Sequence, residues 1–181
     1  MLEIRLIPEN EFQRVREATI DKYTRLALLS DMCSANTLAT VKRAGSGHLG
    51  SSFSSLDIVT YLYHYEMNIA ELGINHPDRD IYFSSKGHDV PGHYAVLHSL
   101  GLLSEERFQH LRRHDGTHGH PDVSIAGIEA NSGSLGMGIS KAKGMALAKK
   151  MSGAKGRVMV MTGDGELQEG QIWESLQTAA Y

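Results

Sequence analysis

The chain has one cysteine, no long run of like charge, no low-complexity tract and no apolar stretch long enough to span a bilayer. Each shortage excludes something. A lone thiol, Cys33, rules out an internal disulfide, and its place in an apolar helical pattern suits a small buried hydrophobe in a reducing compartment. The first residues lack the basic-then-apolar order of a leader peptide, so a cytoplasmic location is expected. Lysine and arginine number 18 against 21 acids, a net charge of −3 with the signs interspersed. That balance does not attract a polyanion, and no helical pattern is both basic and amphipathic. Neither nucleic acid nor membrane is expected as a partner. With 181 residues, 41% of them apolar, the chain can bury one sizeable core, and a single domain over 1–181 is predicted.

What is present centres on residues 157–174. Arg157, Val158, Met159, Val160, Met161 and Thr162 form a short apolar, β-branched run suited to a buried parallel strand. Gly163 and Gly165 then bracket Asp164, so the backbone turns tightly at the strand's carboxyl end, where open α/β sheets bind ligands. The aspartate is a hard oxygen ligand for Mg²⁺ or Ca²⁺, and glycine amides can approach phosphate oxygens, so a metal-bridged diphosphate fits this corner.

Helical spacing over about 10–43, uninterrupted by Gly or Pro, predicts one long helix or two abutting ones. A glycine-serine loop over 44–52 follows, with His48 at its centre. Ser54 and Asp57 have capping-box spacing, and Leu56, Val59, Tyr63 and Met67 continue a stripe read as core. Residues 80–85 read as a strand whose carboxyl-end loop carries Lys86, Gly87 and His88, although Ser85 and Lys86 also suit a solvated helix start. A helix follows from Tyr94 to Leu100, stopped by Gly101, and another runs from a Ser104 cap to about Arg113. His93, His98 and His110 on these helices are read as surface or satisfied core groups. His114, His118 and His120 lie within seven positions, but neither their spacing nor the glycine-rich segment matches a standard zinc pattern. Glycines 133, 136 and 138 precede a helical run over 139–151, where unpaired amides and the helix dipole favour an anion.

Read as one string, Gly163 to Glu174 closely resembles the thiamine diphosphate signature of the transketolase family. Four further segments resemble that family's motifs in its order. These are Ser46-Gly47-His48, with Leu49 where proline is usual, then Ser85-Lys86-Gly87-His88, Gly119-His120-Pro121-Asp122, and Gly133 to Gly138 with Met137 where glutamine is usual. The resemblance covers about 21–181.

The resemblance implies an α/β fold, a parallel sheet flanked by helices, binding thiamine diphosphate through Mg²⁺, with Ca²⁺ or Mn²⁺ as substitutes. It implies transfer of a two-carbon ketol unit from a ketose phosphate to an aldose phosphate, as in the pentose phosphate pathway. The alternatives are dihydroxyacetone synthase chemistry and a non-catalytic assembly subunit. Carried over, His48 and His120 act on substrate and His88 on the cofactor diphosphate. Gly133, Ser134, Leu135, Asp164 and Gly165 bind cofactor, Asp164 ligates the metal, and Glu169 is the acid that couples paired sites. The family's second metal ligand, an asparagine on a following strand, has no counterpart here, so a weaker metal site is expected unless water or Glu166 substitutes. Its pyrimidine-binding module is also absent. The resemblance therefore implies a split parent with a carboxyl-half partner, a full-length parent being the alternative, an oligomer, and a domain incomplete relative to the family and catalytically silent alone.

Overall fold

In chain order the elements are α1 (Glu9–Glu17), α2 (Lys22–Ala44), α3 (Leu49–Tyr61), α4 (Ile69–Leu72), β1 (Ile81–Ser84), α5 (Val90–Ser99), α6 (Glu105–Gln109), α7 (Gly138–Ser152), β2 (Val158–Met161) and α8 (Gly170–Leu176). A π-helical turn spans Leu62–Glu66, and 3-10 turns span Gly87–Asp89 and Gly165–Gln168. These come from a computed structural model that describes residues 5–179. The described chain divides into two compact units. One joins the chain up to Glu66 with His88–Gly119, and the other joins Met67–Gly87 with the chain from His120 onward.

The first unit is helical. The long amino-terminal pattern resolves into two helices because Asp21 caps the second, its carboxylate accepting the amides of Tyr23 and Thr24 at 3.0 and 3.1 Å. α2 packs against α3 and α5, and α5 is buried on every side. The buried face of α2 carries small polar groups that satisfy themselves locally. The Thr37 hydroxyl donates to the Cys33 carbonyl at 2.8 Å, and the Asn36 side chain exchanges two bonds with the Ile7 backbone at 2.7 and 2.9 Å. Cys33 is fully buried with its thiol against the Ala95 carbonyl, and burial pushes its pKa up to about 12, as expected of an inert hydrophobe.

Two predicted boundaries fail here. Ser54 caps nothing, because α3 already starts at Leu49, and the Ser54 hydroxyl donates back to the Ser51 carbonyl at 3.1 Å. α6 keeps its Ser104 cap but stops at Gln109 rather than near Arg113. Beyond it the Arg112 amide donates to the Thr117 carbonyl at 2.7 Å, and Arg112 sits at φ 60°, so the backbone closes a loop instead of continuing a helix.

The second unit holds the sheet, an α/β arrangement in which β1 and β2 pair in parallel, Ile81 opposite Val158 through Ser84 opposite Met161, with α7 packed on β2 and α8 on α7. Buried Asp80 pins the start of both strands. It accepts from the Arg157 amide and guanidinium, both at 2.8 Å, and its own amide donates to the Asn68 side chain at 2.6 Å. β1 is largely buried, whereas β2 is half-buried along its whole length, less than the sequence predicts. Among the described residues β2 has one strand neighbour, β1.

Two histidines of the first unit, buried His93 and half-buried His64, make it sensitive to acid. His93 is buried with Nε2 2.9 Å from the Tyr63 hydroxyl, and burial pulls its pKa down to about 3. His64 pairs with the Ser99 hydroxyl at 2.9 Å, and burial, reinforced by the Arg16 charge, pulls it down to about 4. Both pKa values lie below the ordinary 6.5, so between pH 6.5 and 4 the unfolded chain binds more protons, and stability falls as pH drops through that window. At pH 5.5 each histidine should cost about 1.4 kcal/mol relative to pH 8. Denaturant melts at both pH values check this, and His93→Gln should remove about half of the difference.

Candidate functional site

In the first unit the structure brings two predicted histidines together. His48 immediately precedes α3, and Leu49 takes the first helical position, the place where the family's proline would also be favoured, so the helix starts normally without it. His88 lies in the turn before α5. The Ser52 hydroxyl bonds the Asp89 carbonyl at 3.2 Å and the Ser55 hydroxyl bonds the Asp89 carboxylate at 3.4 Å, tying α3 to the residue beside His88. The His48 and His88 rings meet edge to face, centroids 5.2 Å apart, with His48 exposed and His88 half-buried.

The remaining predicted residues belong to the second unit, where three loops converge near the carboxyl ends of β1 and β2. Ser85 and Lys86 are both buried, so they are no solvated helix start. The glycine loop before α7 runs against Ser85 so closely that a Cβ on Gly138 would stand 2.2 Å from the serine side chain. Gly133 sits at φ +125°, and a Cβ there would meet the His120 ring at 2.9 Å, so only glycine lets this loop pass His120. Ser134, Leu135, Asp164, Gly165 and Glu169 are all exposed, as is His120. Gly136 lies against the Glu169 and Gln171 side chains, which sets the glycine loop beside the start of α8.

Glu166 is the residue whose role the sequence reading missed. Its carboxylate is 2% exposed and accepts from the Ser85 hydroxyl, from the Gly136 amide at 2.8 Å and from the Gly163 amide at 3.0 Å. Two expectations are corrected by this. Glu166 cannot stand in as a metal ligand, since its oxygens are committed to protein donors and shut from solvent. The amides of Gly136 and Gly163 are likewise spent and do not face an anion. A signal for this existed in the sequence, because an acid three residues after a strand-end glycine can fold back onto that glycine's amide.

What remains open suits an anion and a cation. No side chain caps α7, whose Ncap residue is Met137, and among the described residues no donor bonds the Asp164 carboxylate, which points from the turn into solvent. Among the described residues no three His, Cys, Asp or Glu side chains converge to form a protein-only metal site. Cavities of about 380, 410 and 470 Å³ exist, but none of the predicted site residues lines them. The site residues of the second unit named above as exposed are set by the loops around the carboxyl ends of β1 and β2.

A parallel strand pair with an acid-bearing glycine turn at its carboxyl end, beside a glycine loop that opens a helix, defines an α/β cofactor-binding domain. The family described as transketolase, thiamine diphosphate binding domain, matches residues 28–181, and the chain belongs to that family. It is 41% identical over 136 residues to an apulose-4-phosphate transketolase subunit from Actinobacillus succinogenes, covering 74% of this chain and 49% of that one. With 6-deoxy-6-sulfo-D-fructose transketolase subunit SqwG of a Clostridium species it shares 39% over 146 residues, covering 79% and 53%. It is also similar to the crystal structure of transketolase from Campylobacter jejuni, TM-score 0.77 at 29% identity, covering 86% of this chain and 26% of that one. The chain thus spans about half the length of these two subunits and about a quarter of that transketolase.

Gly133→Ala tests the loop geometry. The added Cβ meets the His120 ring in a backbone conformation that L residues avoid, so a loss of about 1–3 kcal/mol in unfolding free energy is expected. Denaturant melts check it, and shifted His120 ring signals in NMR spectra would report the displaced imidazole.

Proposed function

We propose that this chain binds thiamine diphosphate through Mg²⁺ and, with a carboxyl-half partner bearing the pyrimidine-binding module, transfers a two-carbon ketol unit from a ketose phosphate to an aldose phosphate. The observation that carries the reading is the state of Asp164, an exposed carboxylate with no protein donor among the described residues, held in a turn beyond a parallel strand. Such a ligand suits Mg²⁺, which keeps part of its water shell and takes one or two carboxylates together with phosphate oxygens. The cofactor supplies the electron sink that lets the bond beside a ketose carbonyl break.

The chain's own residues bind and orient. The first-turn amides of α7, uncapped by any side chain, favour an anionic group. His48 and His120 are exposed imidazoles able to hold or move a proton at a substrate hydroxyl near neutral pH, and His88 is assigned to the diphosphate. Glu169 is assigned the acid that couples paired sites.

Two observations support a partner. The second unit exposes Leu135, Met137, Leu167, Trp173 and Leu176 around its glycine loop and α8, more apolar area than solvent favours. Relatives about twice as long are named as subunits. The buried, reduced Cys33 suits a cytoplasmic home.

Calorimetric titration with thiamine diphosphate, with and without Mg²⁺, tests the reading. The wild-type chain should bind in a Mg²⁺-dependent manner, and Asp164→Ala should lose that dependence with unchanged circular dichroism. Metal-dependent binding that survives in Asp164→Ala would remove the assigned ligand. In the assembled enzyme His88→Ala should weaken cofactor binding first, whereas His48→Ala and His120→Ala should lower turnover with cofactor affinity little changed. The chain alone should give no ketol transfer at any concentration, and turnover by a stable monomer would overturn the need for a partner.

A further inference from the structure

We infer that Glu166 is the positioning residue of the cofactor cradle: one buried carboxylate that holds the strand-end turn of Asp164, the glycine loop and the end of β1 in a single arrangement. The inference rests on the thiamine diphosphate reading above and names a residue that acts through others, touching neither metal nor cofactor.

The argument is one of donor and acceptor count. One carboxylate oxygen receives the Ser85 hydroxyl and the Gly136 amide, and the other receives the Gly163 amide. Those donors come from three stretches of chain, the residue just past β1, the loop before α7 and the turn beyond β2. The bond to Gly163 closes the turn on itself, so Asp164, between the two bonded residues, is forced to the tip with its side chain outward. The bond to Gly136 fixes the loop whose continuation opens α7, and Gly138 then packs on Ser85, which closes the ring of contacts. Glu166 is 2% exposed, so water cannot replace a lost partner, and a carboxylate is the one side chain of this length that offers acceptors alone at both ends.

Glutamine at this position tests it. An amide of the same shape must turn its NH₂ toward at least one of the three donors, so a bond becomes a donor–donor conflict while volume is unchanged. In E166Q the backbone amides of Gly136 and Gly163 should exchange hydrogen faster than in the wild-type chain, measured without cofactor. Mg²⁺-dependent thiamine diphosphate affinity should fall about 10–100-fold, the effect typical of removing support behind a metal ligand. Affinity is measured well below the melting temperature, on samples whose circular dichroism matches wild type, so a folding defect does not pass for a positioning effect. A contribution to the fold alone would leave that affinity unmoved, so unchanged affinity in folded E166Q, or unchanged exchange at both glycines, overturns the proposal. Ser85→Ala removes one donor and leaves the acid; it should lower affinity in the same direction by less, and it carries the test if E166Q folds poorly. Failure of the wild-type chain to bind the cofactor at all would overturn the thiamine diphosphate reading itself, a result distinct from wild-type binding that E166Q leaves intact.

Discussion

Parallel pairing of β1 and β2 is the constraint from which the site of the second unit follows. In an antiparallel pair the chain would leave β1 and β2 at opposite ends; in a parallel pair both carboxyl ends coincide. Here the ladder extends past the strands at each end, with the Ile81 amide on the Arg157 carbonyl at 2.8 Å and the Ser85 amide on the Met161 carbonyl at 2.8 Å. Ser85 and Gly163 thereby leave the sheet side by side, although they are far apart in sequence. Register matters as much as direction, since a slip of one residue would turn every side chain to the other face. Asp80 guards against that slip. Burial alone would raise its pKa, but hydrogen bonds from Arg157 overrule this and hold the carboxyl below the usual range. The pair locks the residue before β1 to the residue before β2, at the end opposite the loops that carry the candidate site residues.

The first unit reaches order by a different route. α5 has no solvent face and yet contains His93 and His98, so its polar groups had to find partners inside. His98 lies between the carbonyls of Leu103 and Ile7 at 3.1 and 3.2 Å, and His93 meets the Tyr63 hydroxyl. Buried polar contacts of this kind favour one packing arrangement, because a rearrangement gives up a hydrogen bond that water cannot replace. The histidines with assigned chemistry, His48 and His88, sit instead where loops meet, and at least one face of each is open. Burial thus sets His93 and His98 apart from His48 and His88.

That separation also explains what could be read from the sequence and what could not. Strands, long helices and the loops between them were legible because periodicity and glycine are local signals: β1, β2 and α7 fall within a residue or two of expectation. The choice between one amino-terminal helix and two turns on Asp21, a cap that an uninterrupted helical spacing conceals. Ser54 and Asp57 gave a false cap because their spacing recurs by chance inside a helix begun earlier; Asp57 instead accepts from Ser30 on α2. Motifs singled out His48, His88, His120 and Asp164, and the structure sets His48 against His88 and leaves His120 and Asp164 exposed. The triple role of Glu166 was not legible, because two of its three partners, Ser85 and Gly136, are distant in sequence and no local pattern announces a contact made through tertiary structure.

In the second unit, exposure divides the candidate site residues from the groups that place them. Asp164, His120, Ser134, Leu135 and Glu169 reach solvent, while Ser85, Lys86, Gly136 and Glu166 are shut from it. The division has a physical basis. A metal ligand must exchange water for the ion and its phosphate oxygens, which a buried carboxylate already bonded to amides cannot do. A support must resist competition from water, because the same hydrogen bond holds geometry better where no solvent can substitute for it. Exposed candidate groups on a dry scaffold are thus pre-arranged by bonds that solvent does not reach. On the proposed reading, the desolvation that strengthens charge interactions in a working site would come from a partner that covers these residues. Leu135, Met137, Leu167 and Trp173, apolar and exposed around the same loops, supply the kind of rim against which such a cover would seal.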